Sequence, residues 1–224
     1  MQILIVAATE KEIAGVFEAF DQPLPYSGEV DYKGHRISFL VTGVGLVATT
    51  FSLTKILCER KFDIALNVGV CGSFNRSLQL GQVVNITSDT FGDLGVQDDE
   101  TFLTLSEIGL LDPDSHPFEQ GWMKFSLDPL KTSTTKNLTR VKALSVNTGS
   151  GNEAAIEKTF RKFAPDVESM EGAAFMYVCL HQGQAAMQIR AISNYVERRD
   201  RSKWQIPLAL KNLSHTLVKL IEEL

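Results

Sequence analysis

Three largely apolar runs of strand length, residues 2–8, 37–41 and 64–68, constrain this chain more than any other feature. The first leads into Thr9-Glu10-Lys11-Glu12 and then Ile13, Val16, Phe17 and Phe20 at helical spacing. The second ends at Thr42-Gly43-Val44-Gly45 and is followed by a helix-like stretch to about Glu59. The third breaks at Gly69-Val70-Cys71-Gly72-Ser73. Residues 83–86, 141–146 and 186–192 are further strand candidates. Helical segments are expected near 152–162, after Met170-Glu171-Gly172-Ala173-Ala174, and over 205–223. Strands apolar on both faces need cover on both sides, so the pattern predicts an α/β fold around a mostly buried sheet. No linker or internal repeat interrupts it, and one domain spanning residues 1–224 is expected. In such folds ligands collect where strands end.

Charge and composition narrow the partners. Asp and Glu outnumber Lys and Arg by 27 to 22, with no basic block longer than a pair, which argues against a nucleic-acid groove. No apolar run approaches the ~20 residues that span a bilayer. The start lacks a basic region and runs straight into charge, which suits a first strand and not a signal peptide. Cys58, Cys71 and Cys179 are odd in number and widely spaced, as expected of reduced thiols in a cytoplasmic protein. Residues 77–123 hold nine Asp and Glu and no Lys or Arg. This stretch is expected to be a solvated loop balanced by Lys124, Lys131, Lys136, Arg140 and Lys142. Its spacing does not follow a calcium loop.

Gly43-Val44-Gly45-Leu46-Val47-Ala48 fits a G-x-G-x-x-A turn between strand and helix. The acidic partner of a dinucleotide site is missing, however, because Asp63 precedes the next strand. A tight turn bringing backbone near an anion or sugar is the simpler reading. His35, His116, His181 and His215 have no zinc spacing, and no nucleophilic serine elbow is present. Carboxylates remain. Glu12, three residues after Thr9, suits a capping box; Glu171 suits a charge at a helix start; Asn194 suits a turn. All three also stand just past expected strand ends, where a ligand would gather.

In order along the chain, ILIVAATEKEI, TGVG, NVGVCGSF, VESMEGAA and RAISN resemble the nucleoside phosphorylase/nucleosidase superfamily over nearly the whole length. MEGAA and RAISN are the most specific pieces. The opening resembles the hydrolytic branch, the methylthioadenosine/S-adenosylhomocysteine nucleosidases. The segment FGDLGVQDDETFLTLSEIGLLDP after Asp89 is similar to the futalosine hydrolases of the alternative menaquinone pathway. The resemblance implies a single domain with a mixed central sheet flanked by helices. It further implies a cytoplasmic homo-oligomer in which a neighbouring subunit completes the 5′ pocket, acting on a small-molecule purine nucleoside without metal or cofactor. Glu12 would activate water. Met170 would line the ribose, and Glu171 would accept from its 2′- and 3′-hydroxyls. Gly72 would let backbone approach the nucleoside, and Asn194 would meet the base and share in catalysis.

Two departures from the family pattern bear on chemistry. The methylthioadenosine nucleosidases carry Asp where this chain has Asn194. An amide cannot protonate N7 of adenine, but it can donate to a 6-oxo group and accept from N7–H. That favours hypoxanthine, the base of futalosine, whose 5′ substituent also carries a carboxylate. Ala154 and Ala155 follow Ser150-Gly151 where the nucleosidases place a stacking Phe. The first strand–helix turn has no arginine for a phosphate, and Arg76 is the one guanidinium near the glycine loop, so hydrolysis is expected over phosphorolysis. Open alternatives are a methylthioadenosine/S-adenosylhomocysteine nucleosidase, a 6-oxopurine phosphorylase and a non-catalytic purine sensor. Arg198, Arg199, Arg201 and Lys203, beyond Asn194, suit either a closing loop or a solvated one.

Overall fold

The amino-terminal run forms β1 (Gln2–Ala7), in which every residue after Gln2 is buried. Successive side chains point to opposite faces, so both faces of this strand must be covered. In the computed structural model, which describes residues 1–21, 28–125 and 128–224, they are. The chain continues through α1 (Glu10–Ala19), β2 (Glu29–Tyr32), β3 (His35–Val41), α2 (Leu46–Glu59), β4 (Ile64–Ser73) and β5 (Val83–Asp89). A hairpin of β6 (Gly95–Asp98) and β7 (Thr101–Thr104) follows, then β8 (Met123–Lys124), α3 (Ser133–Asn137) and β9 (Thr139–Ser145). The last third holds α4 (Glu153–Phe163), β10 (Val167–Ser169), α5 (Gly172–His181), β11 (Ala186–Tyr195) and α6 (Ile206–Glu222), with a 3-10 turn at Arg201–Lys203.

The main sheet has the order β10-β9-β5-β11-β4-β1-β3-β2, with β8 on β5. It is mixed: β1 runs parallel to β3 and β4, and β11 parallel to β4, whereas β11 is antiparallel to β5. On one face α1 and α6 pack over Ile3, Ile5 and Leu66. On the other, Phe175 and Met176 of α5 and Leu53 and Leu57 of α2 pack over Leu4 and Val6. Leu213, Leu217 and Leu220 of α6 are fully buried, each contributing about 1.5–3 kcal/mol. The helix α5 (GAAFMYVCLH) is apolar along most of its length because Gly172–Met176, Val178 and Cys179 are buried, while Tyr177 and His181 reach the surface.

Two features position the site. β10 pairs in parallel with β9 and also, antiparallel, with the end of β4, so the strands from β4 to β10 curl into a closed ring. The second feature corrects the sequence reading: the third apolar run does not break at Gly69. β4 continues through Gly72 to Ser73, because β11 on one side and β10 on the other supply hydrogen-bond partners for its glycine-rich end. For the same reason Asn194 is not past a strand end; it lies within β11, after a bulge between Ile192 and Asn194.

The stretch between β5 and β9 is less irregular than expected, since it holds the β6–β7 hairpin, β8 and α3. Its charge is balanced differently as well. Among the described residues Lys124 does pair with Glu119, at 2.9 Å, but the other ion pairs of this segment come from α4: Lys158 with Glu100 at 2.6 Å and Lys162 with Glu107 at 2.5 Å. α4 buries no residue fully and lays its basic side against the acidic hairpin.

Candidate active site

Glu12 serves two structures at once. Its Oε2 accepts the Thr9 backbone N–H and hydroxyl, both at 3.0 Å, completing the capping box of α1. Its Oε1 accepts the Val70 N–H at 3.1 Å, from the glycine-rich end of β4. The carboxylate is 8% exposed. Gly69 makes this approach possible, because a Cβ there would lie 2.4 Å from Glu12 Oε1 and 2.5 Å from Arg190 Nη1.

Glu171, the N-cap residue of α5, is likewise buried. Its Oε1 accepts the Gly45 N–H at 3.1 Å, and its Oε2 faces Arg190 Nη1 at 3.4 Å. Gly43 and Gly45 both hold positive φ, at 85° and 98°, which other residues resist. The anion met by the glycine turn is therefore the chain's own carboxylate. Arg190 is 0% exposed, with Nη2 on Asn67 Oδ1 at 3.2 Å and Nε on Gln188 Oε1 at 3.3 Å. Gln188 in turn donates to Asp89 Oδ2 at 3.2 Å, and the Ser145 hydroxyl donates to the same carboxyl. Burial pushes Asp89 up to about 7, against the lowering pull of Gln188, Ser145 and Arg190. A buried chain of polar groups thus runs from Asp89 to Glu171 and holds the latter in place.

At the other end of the cavity Gly72 lies between two strands, in register with Glu168 of β10 and Asn194 of β11. A Cβ at Gly72 would meet Asn194 Nδ2 at 3.2 Å and Val196 at 3.0 Å. Asn194 Oδ1 accepts the Ser193 hydroxyl at 2.7 Å, and its Nδ2 donates to the Tyr195 carbonyl at 3.0 Å. Each polar atom keeps one further bonding position. Glu168 is 8% exposed; it accepts from the Ser150 N–H at 2.8 Å and the Ser150 hydroxyl at 2.5 Å. Burial raises its carboxyl above the usual range, with the Ser150 bonds opposing.

These residues share one cavity of about 820 Å³. Glu12, Gly72, Met170, Glu171 and Asn194 all line it, together with Glu168, Tyr195 and Trp204. Cys71 lines it too, but burial pushes its thiol up to about 12, which leaves no thiolate for chemistry. Ala154 and Ala155 instead line a second cavity of about 750 Å³ between α4 and the β6–β7 hairpin. The aromatic surfaces in the site are Tyr195 and Trp204. Arg76 is held by Glu197 at 2.6 Å and lies over the Tyr195 ring. No group of His, Cys, Asp and Glu among the described residues is disposed to hold a metal ion.

Sequence reasoning missed Glu168 and the Arg190–Gln188–Asp89 chain. The signals were present. Gln188 and Arg190 stand two apart in the otherwise apolar run 186–192, which places both on one buried face, and Glu168 precedes Glu171 by three, beside the MEGAA motif.

The sequence model of the Phosphorylase superfamily matches residues 2–222. The futalosine hydrolase of Thermus thermophilus is 26% identical over 208 residues, covering 90% of this chain and 88% of its own. A structure of a futalosine hydrolase mutant of Helicobacter pylori superposes with a TM-score of 0.82 at 19% identity, covering 100% of both chains. The 5′-methylthioadenosine/S-adenosylhomocysteine nucleosidase of Helicobacter pylori, solved with butyl-thio-DADMe-Immucillin-A, gives 0.82 at 19% identity over 100% of this chain and 99% of that one. Both structures have the fold described above.

Proposed function

The chain belongs to the phosphorylase superfamily, and from that premise we propose that it hydrolyses the N-glycosidic bond of futalosine and releases hypoxanthine. The observation that supports this most is the meeting of Glu12 and Glu171, from opposite halves of the chain, in the cavity that Asn194 and Glu168 line from the far side of Gly72. Glu171, with one lone pair on each oxygen still free, grips the ribose 2′- and 3′-hydroxyls while Met170 lines the sugar. Glu12 takes a proton from water as the water oxygen bonds to the anomeric carbon. The electrons of the broken C–N bond leave on the purine, and the carboxylate stabilises the cationic sugar. Such general-base assistance is worth ~10²–10⁴-fold.

The base end favours a 6-oxopurine. Asn194 has one N–H to donate to O6 and one lone pair for N7–H, and the leaving anion takes its proton from solvent. Glu168 accepts the N1–H that hypoxanthine has and adenine lacks. Adenine would set a lone pair against that carboxylate. Arg76 is committed to Glu197, and the choice between water and phosphate as nucleophile is read from base release in phosphate-free buffer.

The same reading includes a single cytoplasmic domain that works without cofactor. Its self-association is supported by α2, which leaves Val47 80% and Phe51 70% exposed, as a subunit contact would use. No helix among the described residues is long and apolar enough to cross a membrane. The test is base release from futalosine and from 5′-methylthioadenosine in phosphate-free buffer. Hypoxanthine should appear at least tenfold faster than adenine. Faster adenine release would assign the methylthioadenosine activity instead.

A further inference from the structure

The segment after β11 is pinned at both ends. The Val196 N–H donates to the Ser73 carbonyl at 2.8 Å, and the Gln205 N–H donates to the Ser193 carbonyl at 2.7 Å. Between these anchors stand four cations and two carboxylates, and the carboxylates are already engaged. Glu197 binds Arg76 and Lys203, at 2.6 and 3.3 Å, and Asp200 faces Lys203 at 3.9 Å while capping Ser202. Arg198, Arg199 and Arg201 line the cavity, yet among the described residues none has an ion pair or a side-chain hydrogen bond. Arg199 lies 5.7 Å from the Trp204 ring centre, a cation–π distance that holds the guanidinium near the cavity wall. The same segment supplies apolar lining from Trp204, Ile206 and Leu210.

Three unpaired guanidiniums beside an apolar wall suit a ligand group that is apolar along its length and anionic at its end. We infer that Arg198, Arg199 and Arg201, with Trp204 as the adjoining apolar face, form a subsite for a carboxylate carried at the far end of the nucleoside's 5′ substituent. This rests on the nucleosidase reading above. Guanidinium is suited to it, because its planar fork meets a carboxylate with two parallel hydrogen bonds.

The test compares futalosine with inosine, which has the same base and ribose and no carboxylate, on wild type and on the Arg199→Gln/Arg201→Gln double variant. The ratio of kcat/KM for futalosine over inosine should fall at least tenfold, mainly through KM. An Arg199→Lys/Arg201→Lys variant should recover part of it, and raising the salt should weaken futalosine use by wild type more than inosine use. A ratio that stays within twofold, or that falls without any sensitivity to salt, overturns the inference. A loss that appears only with added phosphate would assign the arginines to a phosphate co-substrate and overturn it likewise. Should wild type cleave neither nucleoside, the hydrolase reading fails by itself. Calorimetric titration of the same two compounds against the same variants then decides the subsite: a tenfold futalosine-specific loss supports it, and equal binding refutes it.

Discussion

Gly69→Ala alters neither proposed catalytic carboxylate and should nevertheless disable the enzyme. The new Cβ would lie 2.4 Å from Glu12 Oε1 and 2.5 Å from Arg190 Nη1, whereas ordinary contact begins near 3.4 Å. Each group must therefore retreat by about 1 Å, and a displacement of that size costs on the order of 10²-fold in rate. Neither can retreat freely. Glu12 is tied to Thr9 and Val70, and Arg190 is buried between Glu171, Gln188 and Asn67. Overpacking a buried strand costs about 1–3 kcal/mol of stability, which should leave the variant folded at 25 °C. The assay is the steady-state rate of hypoxanthine release from futalosine, with thermal unfolding by circular dichroism as the check on folding. A folded variant with kcat within threefold of wild type would show that the position of Glu12 against β4 does not matter to turnover.

Three further substitutions probe separate parts of the site. Glu12→Gln keeps size and removes the base, so kcat should fall at least ~100-fold while futalosine still binds by calorimetry; undiminished turnover would leave capping of α1 as its whole role. Asn194→Asp should raise the ratio of adenine to hypoxanthine release, because the carboxyl can accept from a 6-amino group and protonate N7; an unchanged ratio removes the base-recognition role. Asp89 has a folded value of about 7 against an ordinary 3.8, so the folded state binds its proton more tightly across that window. Stability should therefore fall as pH rises from about 4 to 7. Asp89→Asn should flatten that slope in urea unfolding at pH 5 and pH 8, and an identical slope in both proteins would contradict the burial effect.

Much of the fold is legible locally. β1, α1, α2, α4 and α6 follow from apolar runs and helical spacing, α1 with its Thr9 cap, and the helix bounds agree with the expected spans. What was not legible depends on partners distant in the chain. β4 extends through two glycines because β10 and β11 pair with its end, and β2 has only Val30 buried, too little pattern to announce a strand. The site divides in the same way. Glu12 and Glu171 stand out as carboxylates at turns, but their convergence depends on Gly69, Gly45 and Arg190, which bring the two ends of the chain together. The acidic stretch from Glu100 to Glu119 follows the same rule, since two of its cations lie on α4, more than fifty residues later.

The most direct measurement of the proposed chemistry follows the oxygen. Futalosine is incubated with the protein in ¹⁸O-enriched water, first without phosphate and then with it, and both products are identified by mass spectrometry. Water activated by Glu12 predicts free hypoxanthine and a sugar bearing one ¹⁸O at the anomeric carbon, at the same rate in both buffers. A sugar 1-phosphate, or base release that begins only when phosphate is added, would contradict it.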